Sequence, residues 1–269
     1  MGKVLLTGAA GGVATMLRPL LLARYGDVVL SDRVPVENLA LGETFRLAHL
    51  DDPADVAACL EGVDRVVHLG GKSTEGTWEE ILQSNIDGLY TFYEGCRVAG
   101  VKRVVFASSV HAIGYYSRDR RIDTNVPIRP DSRYGVSKVF GEAMSALFAD
   151  KHGIGTLSVR IGNIAPKPLD TRRLSIGLHP EDFMQLCAIG LEHPDIHNQV
   201  VYGTSANSRA WWDNSAAFAL GYRPVHNGED FAVEAMNGDG PADPVGDLFQ
   251  GGVFCSAEFD GDLEKTRWK

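Results

Sequence analysis

The feature that most constrains this chain is its first turn. Residues 7–14 read Thr-Gly-Ala-Ala-Gly-Gly-Val-Ala, directly after the apolar run Lys3–Leu6. Gly8 permits a tight turn, Gly11 lets the backbone approach a bulky anion, and the small Ala14 lets the following helix pack onto the strand. The opening of that helix offers free N–H groups and a positive dipole end. Gly8, Gly11, Gly12 and Val13 are therefore candidate ligands of a pyrophosphate. On these residues alone, a tight strand-to-helix turn that binds nothing remains an alternative.

The rest of the first half keeps the rhythm this turn sets. Apolar runs at Lys3–Leu6, Val28–Leu30, Phe45–Leu50, Arg65–Leu69, Arg103–Ala107 and Leu157–Ile161 are nearly continuous, as in strands buried on both faces. Helical patterns lie between them at roughly 12–25, 53–61, 77–99 and 133–152; in the third, Leu82, Ile86, Leu89, Tyr90 and Tyr93 recur at helical spacing. This alternation predicts an α/β fold, a Rossmann-type doubly wound parallel sheet with right-handed crossovers. After about Ile164 the rhythm breaks into a loop, helix-like segments near 180–192, 209–220 and 229–236, one strand candidate at Gln199–Tyr202 and a Gly/Asp/Pro-rich tail. The expected organisation is a nucleotide-binding domain over 1–165 and a small substrate-binding portion over 166–269, packed on the same body.

In such a fold the ligand lies across the strand C-termini. Asp32 ends the second strand, where a carboxylate can accept hydrogen bonds from a ribose diol and would repel a 2′-phosphate. The expected cofactor is therefore NAD, not NADP. Arg33 beside it could tolerate such a phosphate. Asp51 after the third strand, and Leu69 and Gly70 after the fourth, complete the candidate cofactor wall.

Composition removes several other classes. With 26 basic against 35 acidic residues the net charge is −9, and no basic run breaks that acidity, so nucleic acid and anionic membrane are poor partners. Cys59, Cys96, Cys187 and Cys255 lie far apart without C-x-x-C spacing, which predicts reduced thiols and no metal site. The N-terminus enters a strand with no basic-then-apolar leader, and no apolar run approaches the ~18 residues of a membrane span. A cytoplasmic protein is expected.

Tyr134 and Lys138, in Tyr-Gly-Val-Ser-Lys, open the helix predicted at 133–152 and share one face at i, i+4 spacing. A free tyrosine, with a pKa of about 10, is a poor base at neutral pH. A neighbouring ammonium would favour its phenolate. Ser109, in the Ser108-Ser109 pair at the end of the fifth strand, can face the cofactor; Asn85 could hold a water or a carbonyl behind Lys138. Together with the glycine turn and Asp32, the chain resembles the extended branch of the short-chain dehydrogenase/reductase superfamily over about residues 3–165. The run Tyr134–Glu142 is especially similar. The resemblance implies Tyr134 as general base, Lys138 as ribose ligand and aid to the tyrosine, Ser109 as orienter of the substrate hydroxyl, and Asn85 as fourth member of a tetrad. Ala14 replaces the third glycine of the pattern.

Stretches at 68–73, 108–115, 160–163, 172–175 and 208–214 resemble the uronate dehydrogenases, which extends the likeness over nearly the whole chain. That family oxidises C1 of glucuronate or galacturonate to an aldarolactone with NAD. The resemblance implies a free hexuronate as substrate and Ser73, Ser109, Val110, His111, Tyr134, Asn163 and Arg172 around it. Val110 stands where the family often has Asn, and Asn163 where it often has Ser, so hydroxyl contacts must differ here. Arg172 is the candidate for the carboxylate, being able to bind it bidentately, with Arg173 the alternative. His111 could equally be a strand-end residue without a ligand, and Trp211-Trp212 reads as packing. Two other readings keep the fold: an NAD-dependent sugar epimerase or dehydratase, and a non-catalytic NAD-binding regulator. Association through the helices at 77–99 and 133–152 would make a homo-oligomer.

Overall fold

A computed structural model describes residues 2–267. Six strands and the helices between them follow the sequence rhythm closely. β1 (Lys3–Thr7) leads into α1 (Gly12–Tyr25), then come β2 (Val28–Asp32), β3 (Glu43–Leu47), α2 (Pro53–Cys59) and β4 (Val63–His68). Next are α3 (Trp78–Ile81), a π-helical turn (Leu82–Asp87), α4 (Gly88–Ala99), β5 (Arg103–Ser109), α5 (Arg133–His152) and β6 (Gly155–Ile161). The first strand is central because its side chains serve two cores. Val4 and Leu6 pack against α1, whereas Leu5 faces the layer that holds Phe92, Tyr93 and Phe148.

The sheet is parallel throughout, in the order β3-β2-β1-β4-β5-β6 and then the strand Asn198–Gly203, β9. Strand order reverses between β1 and β4, so a crevice opens there at the C-terminal ends, which is where ligands bind in doubly wound sheets. β7 (Asn163–Ile164), α6 (Arg173–Ile176), β8 (Gly177–Leu178), α7 (Pro180–Glu192) and β9 (Asn198–Gly203) follow. The strand candidate near 199–202 is thus not a satellite element. It is the seventh strand of the main sheet, paired with β6, so a boundary at 165 does not separate two sheets.

Two helical expectations are corrected. The segment 77–99 is not one regular helix: the π turn shifts the phase of the apolar stripe, leaving Leu82 and Ile86 half-buried and Tyr90 exposed while Asn85 turns inward. Of 209–220 only Ser215–Ala219 is helical. Trp212 instead bridges to Ile122 in an extended segment, and burying its ring there outweighs helix propensity.

Candidate active site

The phosphate end is shaped by Gly8. It holds φ +68, and a Cβ there would come within 2.8 Å of the Leu69 carbonyl, so only glycine allows the β1 turn to lie this close to the end of β4. Thr7 fastens the two turns: its hydroxyl accepts from the Gly70 N–H (3.1 Å) and meets His68 Nδ1 at 2.9 Å. His68 is fully buried between Phe92 and Phe106, and burial, with Lys138 adding to it, pushes its pKa down to about 3. It is therefore neutral, with its Nδ1 hydrogen-bonded to the Thr7 hydroxyl.

The N-terminus of α1 is an open anion cradle. Gly11 caps it without a side-chain bond, no acid lies in its first turn, Gly11 and Gly12 are exposed, and a Cβ at Gly12 would touch nothing within 4 Å. Val13 is half-buried beside it. Asp32 closes the next wall, its two oxygens accepting from Ala10 N–H (3.0 Å) and Val34 N–H (3.1 Å), which orients the carboxylate at the end of β2. Arg33 points to solvent, and Asp51, also exposed, accepts from Gln83 (2.8 Å). These groups fit a dinucleotide: bare helix N–H groups for its diphosphate, and a fixed carboxylate for a ribose diol.

Tyr134 and Lys138 start α5, whose first turn is built to hold them. Ser132 caps it by accepting from Gly135 N–H (2.9 Å). Glu75 reaches over from the loop after β4 to accept from Tyr134 N–H (2.9 Å) and to pair with Arg133 (2.9 Å). Both side chains are buried. Lys138 Nζ donates to the Ala107 carbonyl of β5 (2.8 Å) and lies 5.2 Å from the Tyr134 ring centre. Burial lowers Lys138 to about 8. It also pushes Tyr134 up to about 12, opposed by a hydrogen bond from Ser109 and reinforced by Asp131. The expected lowering of the phenol by its ammonium neighbour is therefore outweighed, in the protein alone, by desolvation.

Asn85 lines a small cavity together with Phe106, Ser137 and Lys138. Its Oδ1 accepts from Lys72 N–H (2.7 Å), and its Nδ2 donates to the Lys72 carbonyl (3.0 Å) and to Ser137 Oγ (2.9 Å). Ser137 passes its proton to the Tyr134 carbonyl (2.7 Å). Asn85 thus braces the loop carrying Ser73 against the helix carrying Tyr134. Ser73 itself is exposed between the anchors at Lys72 and Glu75.

On the substrate side, Ser109 caps the turn after β5 by accepting from His111 N–H (3.2 Å). Val110 is turned away into an apolar cluster with Ile113, Ile176, Tyr202 and Trp212, which leaves it only backbone groups to offer. His111 binds Asp131, a fully buried carboxylate, at 2.7 Å and lies edge-on to Tyr134. Phe254, from the short helix Val253–Ser256, stacks on His111 at 3.9 Å and approaches Tyr134 at 6.1 Å. Sequence reasoning singled out neither Asp131 nor Phe254. Each reaches the site only through tertiary contact, and nothing in the spacing of the tail marks Phe254.

The two arginines separate. Arg173 pairs with Asp170 and lines, with Asn163, Lys167, His179 and His226, a cavity of about 160 Å³ that does not include Tyr134. Arg172 has no acidic partner within salt-bridge distance among the described residues; its guanidinium donates to the Gln250 carbonyl. Burial, then the nearby Arg118 and Arg173, lowers it to about 10, which leaves it charged at neutral pH. Glu181 joins His179 and His226 as a possible metal-binding group. The rings are stacked 3.5 Å apart at 14°, and His179 Nδ1 already accepts from Glu181 N–H. One ligand atom from each of the three lies within 4.8 Å of the other two.

A parallel doubly wound sheet, a glycine cradle at its switch point and a Tyr–Lys pair with a serine at the end of the preceding strand define a nucleotide-dependent enzyme of the short-chain dehydrogenase/reductase class. A sequence profile described as the NAD dependent epimerase/dehydratase family matches residues 4–175. The chain is 45% identical to the uronate dehydrogenase of Pseudomonas putida, over 95% of this chain and 96% of that one. It is 42% identical to the uronate dehydrogenase of Agrobacterium fabrum, over 94% and 97%. A solved Agrobacterium tumefaciens uronate dehydrogenase, a mutant complexed with NAD, superposes with a TM-score of 0.91 at 41% identity, covering 95% of this chain and 97% of that one. The chain belongs to the NAD dependent epimerase/dehydratase family and, within it, to the uronate dehydrogenases.

Proposed function

We propose that this protein oxidises the C1 hydroxyl of a free hexuronate, glucuronate or galacturonate, to the aldarolactone, and that NAD bound along the strand ends supplies the hydride acceptor and a positive charge beside Tyr134. The observation that carries the reading is Arg172: a half-buried guanidinium without an acidic partner at salt-bridge distance among the described residues, packed against Gly252, two residues from the Phe254 ring that lies on His111 and Tyr134. A cation so placed calls for an anionic substrate, and a uronate has one carboxylate and a ring of hydroxyls. Ser73, Ser109 and His111 offer polar groups to those hydroxyls, while Asn163 lines the cavity that Arg173 also lines. Tyr134, held close by Ser109 and favoured as its phenolate by the positive charge beside it, would take the C1–OH proton as C1 gives up hydride, and the ring oxygen would stay in place so that a lactone results. Lys138, anchored on Ala107, presents its remaining N–H groups to the nicotinamide ribose.

The named relatives support this reading through their substrate class, since they are uronate dehydrogenases. The deciding experiment follows NADH absorbance with purified protein, NAD and galacturonate or glucuronate, with galactose and glucose as controls. Rapid formation with the uronates alone is expected. Tyr134→Phe is expected to remove turnover while NAD affinity stays within about threefold, because only the proton acceptor is lost. Reversible sugar interconversion with no net NADH would instead assign an epimerase. We also propose a cytoplasmic homo-oligomer: Tyr90 and Val98 on α4 and Leu147 on the adjacent α5 are exposed apolar side chains suited to a second copy, and the four cysteines are buried free thiols. Light scattering after gel filtration reads the copy number.

A further inference from the structure

Resting on that functional reading, the geometry points to Gln250 as a positioning residue that aims Arg172 at the substrate carboxylate, with Trp212 as the strut that holds Gln250. Arg172 donates to the backbone carbonyl of Gln250 through Nε (3.1 Å) and Nη2 (2.7 Å). This occupies the side edge of the guanidinium. The end edge, with one N–H on each terminal nitrogen, is the edge that binds a carboxylate with two parallel hydrogen bonds. The partner on the side edge is a neutral carbonyl. An acidic side chain there would hold the arginine equally well but would cancel its charge and compete with the substrate. A carbonyl fixes the direction and brings no charge of its own, while the nearby Arg118 and Arg173 are each paired with an aspartate of their own.

The carbonyl can act as a fixed post because every polar group of Gln250 is engaged and the residue is wholly buried. Its backbone N–H donates to the Tyr116 carbonyl (2.8 Å). Its side-chain amide donates to the Ser117 (3.1 Å) and Arg120 (2.9 Å) carbonyls, and Oε1 accepts from Trp212 Nε1 (2.8 Å). The Trp212 ring lies flat on Tyr202 of β9 at 4.9 Å and 9°. A continuous path therefore runs from the edge strand of the sheet through Tyr202, Trp212 and Gln250 to Arg172. The next residues continue it: Gly252, at φ +65, leaves room where a Cβ would meet Arg172 Nε at 2.7 Å, and Phe254 reaches His111. This explains why a buried tryptophan needs its indole nitrogen here and not only its ring.

The test compares wild type, Trp212→Phe, Gln250→Met, Arg172→Met and the double variant Trp212→Phe/Arg172→Met, by steady-state kinetics with galacturonate and glucuronate and by thermal melting. Trp212→Phe keeps an aromatic ring against Tyr202 but removes the indole N–H together with part of the indole, and it serves if Gln250→Met does not fold. The expected result for both is a KM for the uronate raised by about tenfold or more, with kcat and the KM for NAD within about threefold of wild type. In the Arg172→Met background, Trp212→Phe is expected to add nothing, since both act through the same contact. Equal falls in kcat and weaker NAD binding, with effects that multiply those of Arg172→Met, would show a merely structural role and overturn the inference. Wild type inactive on uronates would sink the functional reading itself. Activity on uronates with an unchanged uronate KM in Trp212→Phe would sink only the role given to Gln250 and Trp212.

Discussion

Lys138 shows what the site costs at the level of one residue. Its ammonium is buried beside Phe106 and Tyr134 with the Ala107 carbonyl as anchor, and burial lowers it from 10.5 to about 8. A group whose folded pKa is depressed contributes stability that is fully present above its unfolded pKa and lost as pH falls through the folded value. For Lys138 that window runs from about 10.5 down to about 8, and below it the fold carries a penalty on the order of 3 kcal/mol. Lys138→Met should therefore melt at a higher temperature than wild type at pH 7, with the gap closing as pH rises toward 10.5. Its turnover should fall by about a hundredfold or more, since its N–H groups for the ribose are gone. Melting curves across that pH range check the first claim; a gap that widened with pH would contradict it. The shift itself was not legible in the sequence: Tyr134 and Lys138 could be paired by their spacing, but the burial that moves both of them belongs to the packed protein.

At the scale of elements, the loop after β4 and the start of α5 form one unit. Glu75 accepts two first-turn N–H groups of α5 and pairs with Arg133, which itself reaches Glu258 (2.7 Å), while Asn85 grips the other end of the loop at Lys72. A carboxylate at a helix N-terminus is favourable by roughly 0.3–1 kcal/mol beyond its hydrogen bonds. Glu75→Gln retains one acceptor and loses the charge. Faster amide exchange is expected over 72–77 and 133–137 with β5 and β6 unchanged, together with a several-fold rise in the KM for the uronate, because Ser73 lies between the two anchors. Exchange unaltered in both segments would show that the clamp does not hold them. These contacts also mark how far the sequence could be read. Strands with continuous apolar runs and the glycine turn were plain, since each is a local pattern. The π turn at 82–87 was hidden because Leu82, Ile86 and Tyr90 keep helical spacing while the backbone does not. Glu75, Asp131 and Phe254 act on partners 59, 20 and 143 positions away in the chain (134 − 75, 131 − 111 and 254 − 111), and no local pattern carries such pairings.

Across the whole molecule, the catalytic helix is locked to the sheet by one buried ion pair. Glu142 of α5 takes Arg160 of β6 in a two-point contact, 2.9 Å at each oxygen, and also accepts from Ser108 of β5 (2.6 Å). The two side chains are only 10% and 4% exposed. The pair thus joins α5 to β6 and, through Ser108, to the end of β5 that carries Ser109. Such a pair need not raise net stability, because both charges are taken out of water; breaking it, however, leaves a buried charge uncompensated and costs about 3–5 kcal/mol. For a chain of this size that corresponds to a fall in melting temperature of roughly 6–20 °C. Glu142→Gln should show that fall, and the double replacement Glu142→Leu/Arg160→Met should recover most of it, since apolar side chains of similar volume fill the same space without a charge. Activity is expected to separate from stability: the double variant regains its melting temperature but not its kcat, because Ser108 has lost its acceptor and the helix its fixed distance from β5. Calorimetry with steady-state kinetics on the same three proteins tests this. A Glu142→Gln protein melting within about 2 °C of wild type would mean that water reaches Arg160 and that the helix is held by its apolar face alone.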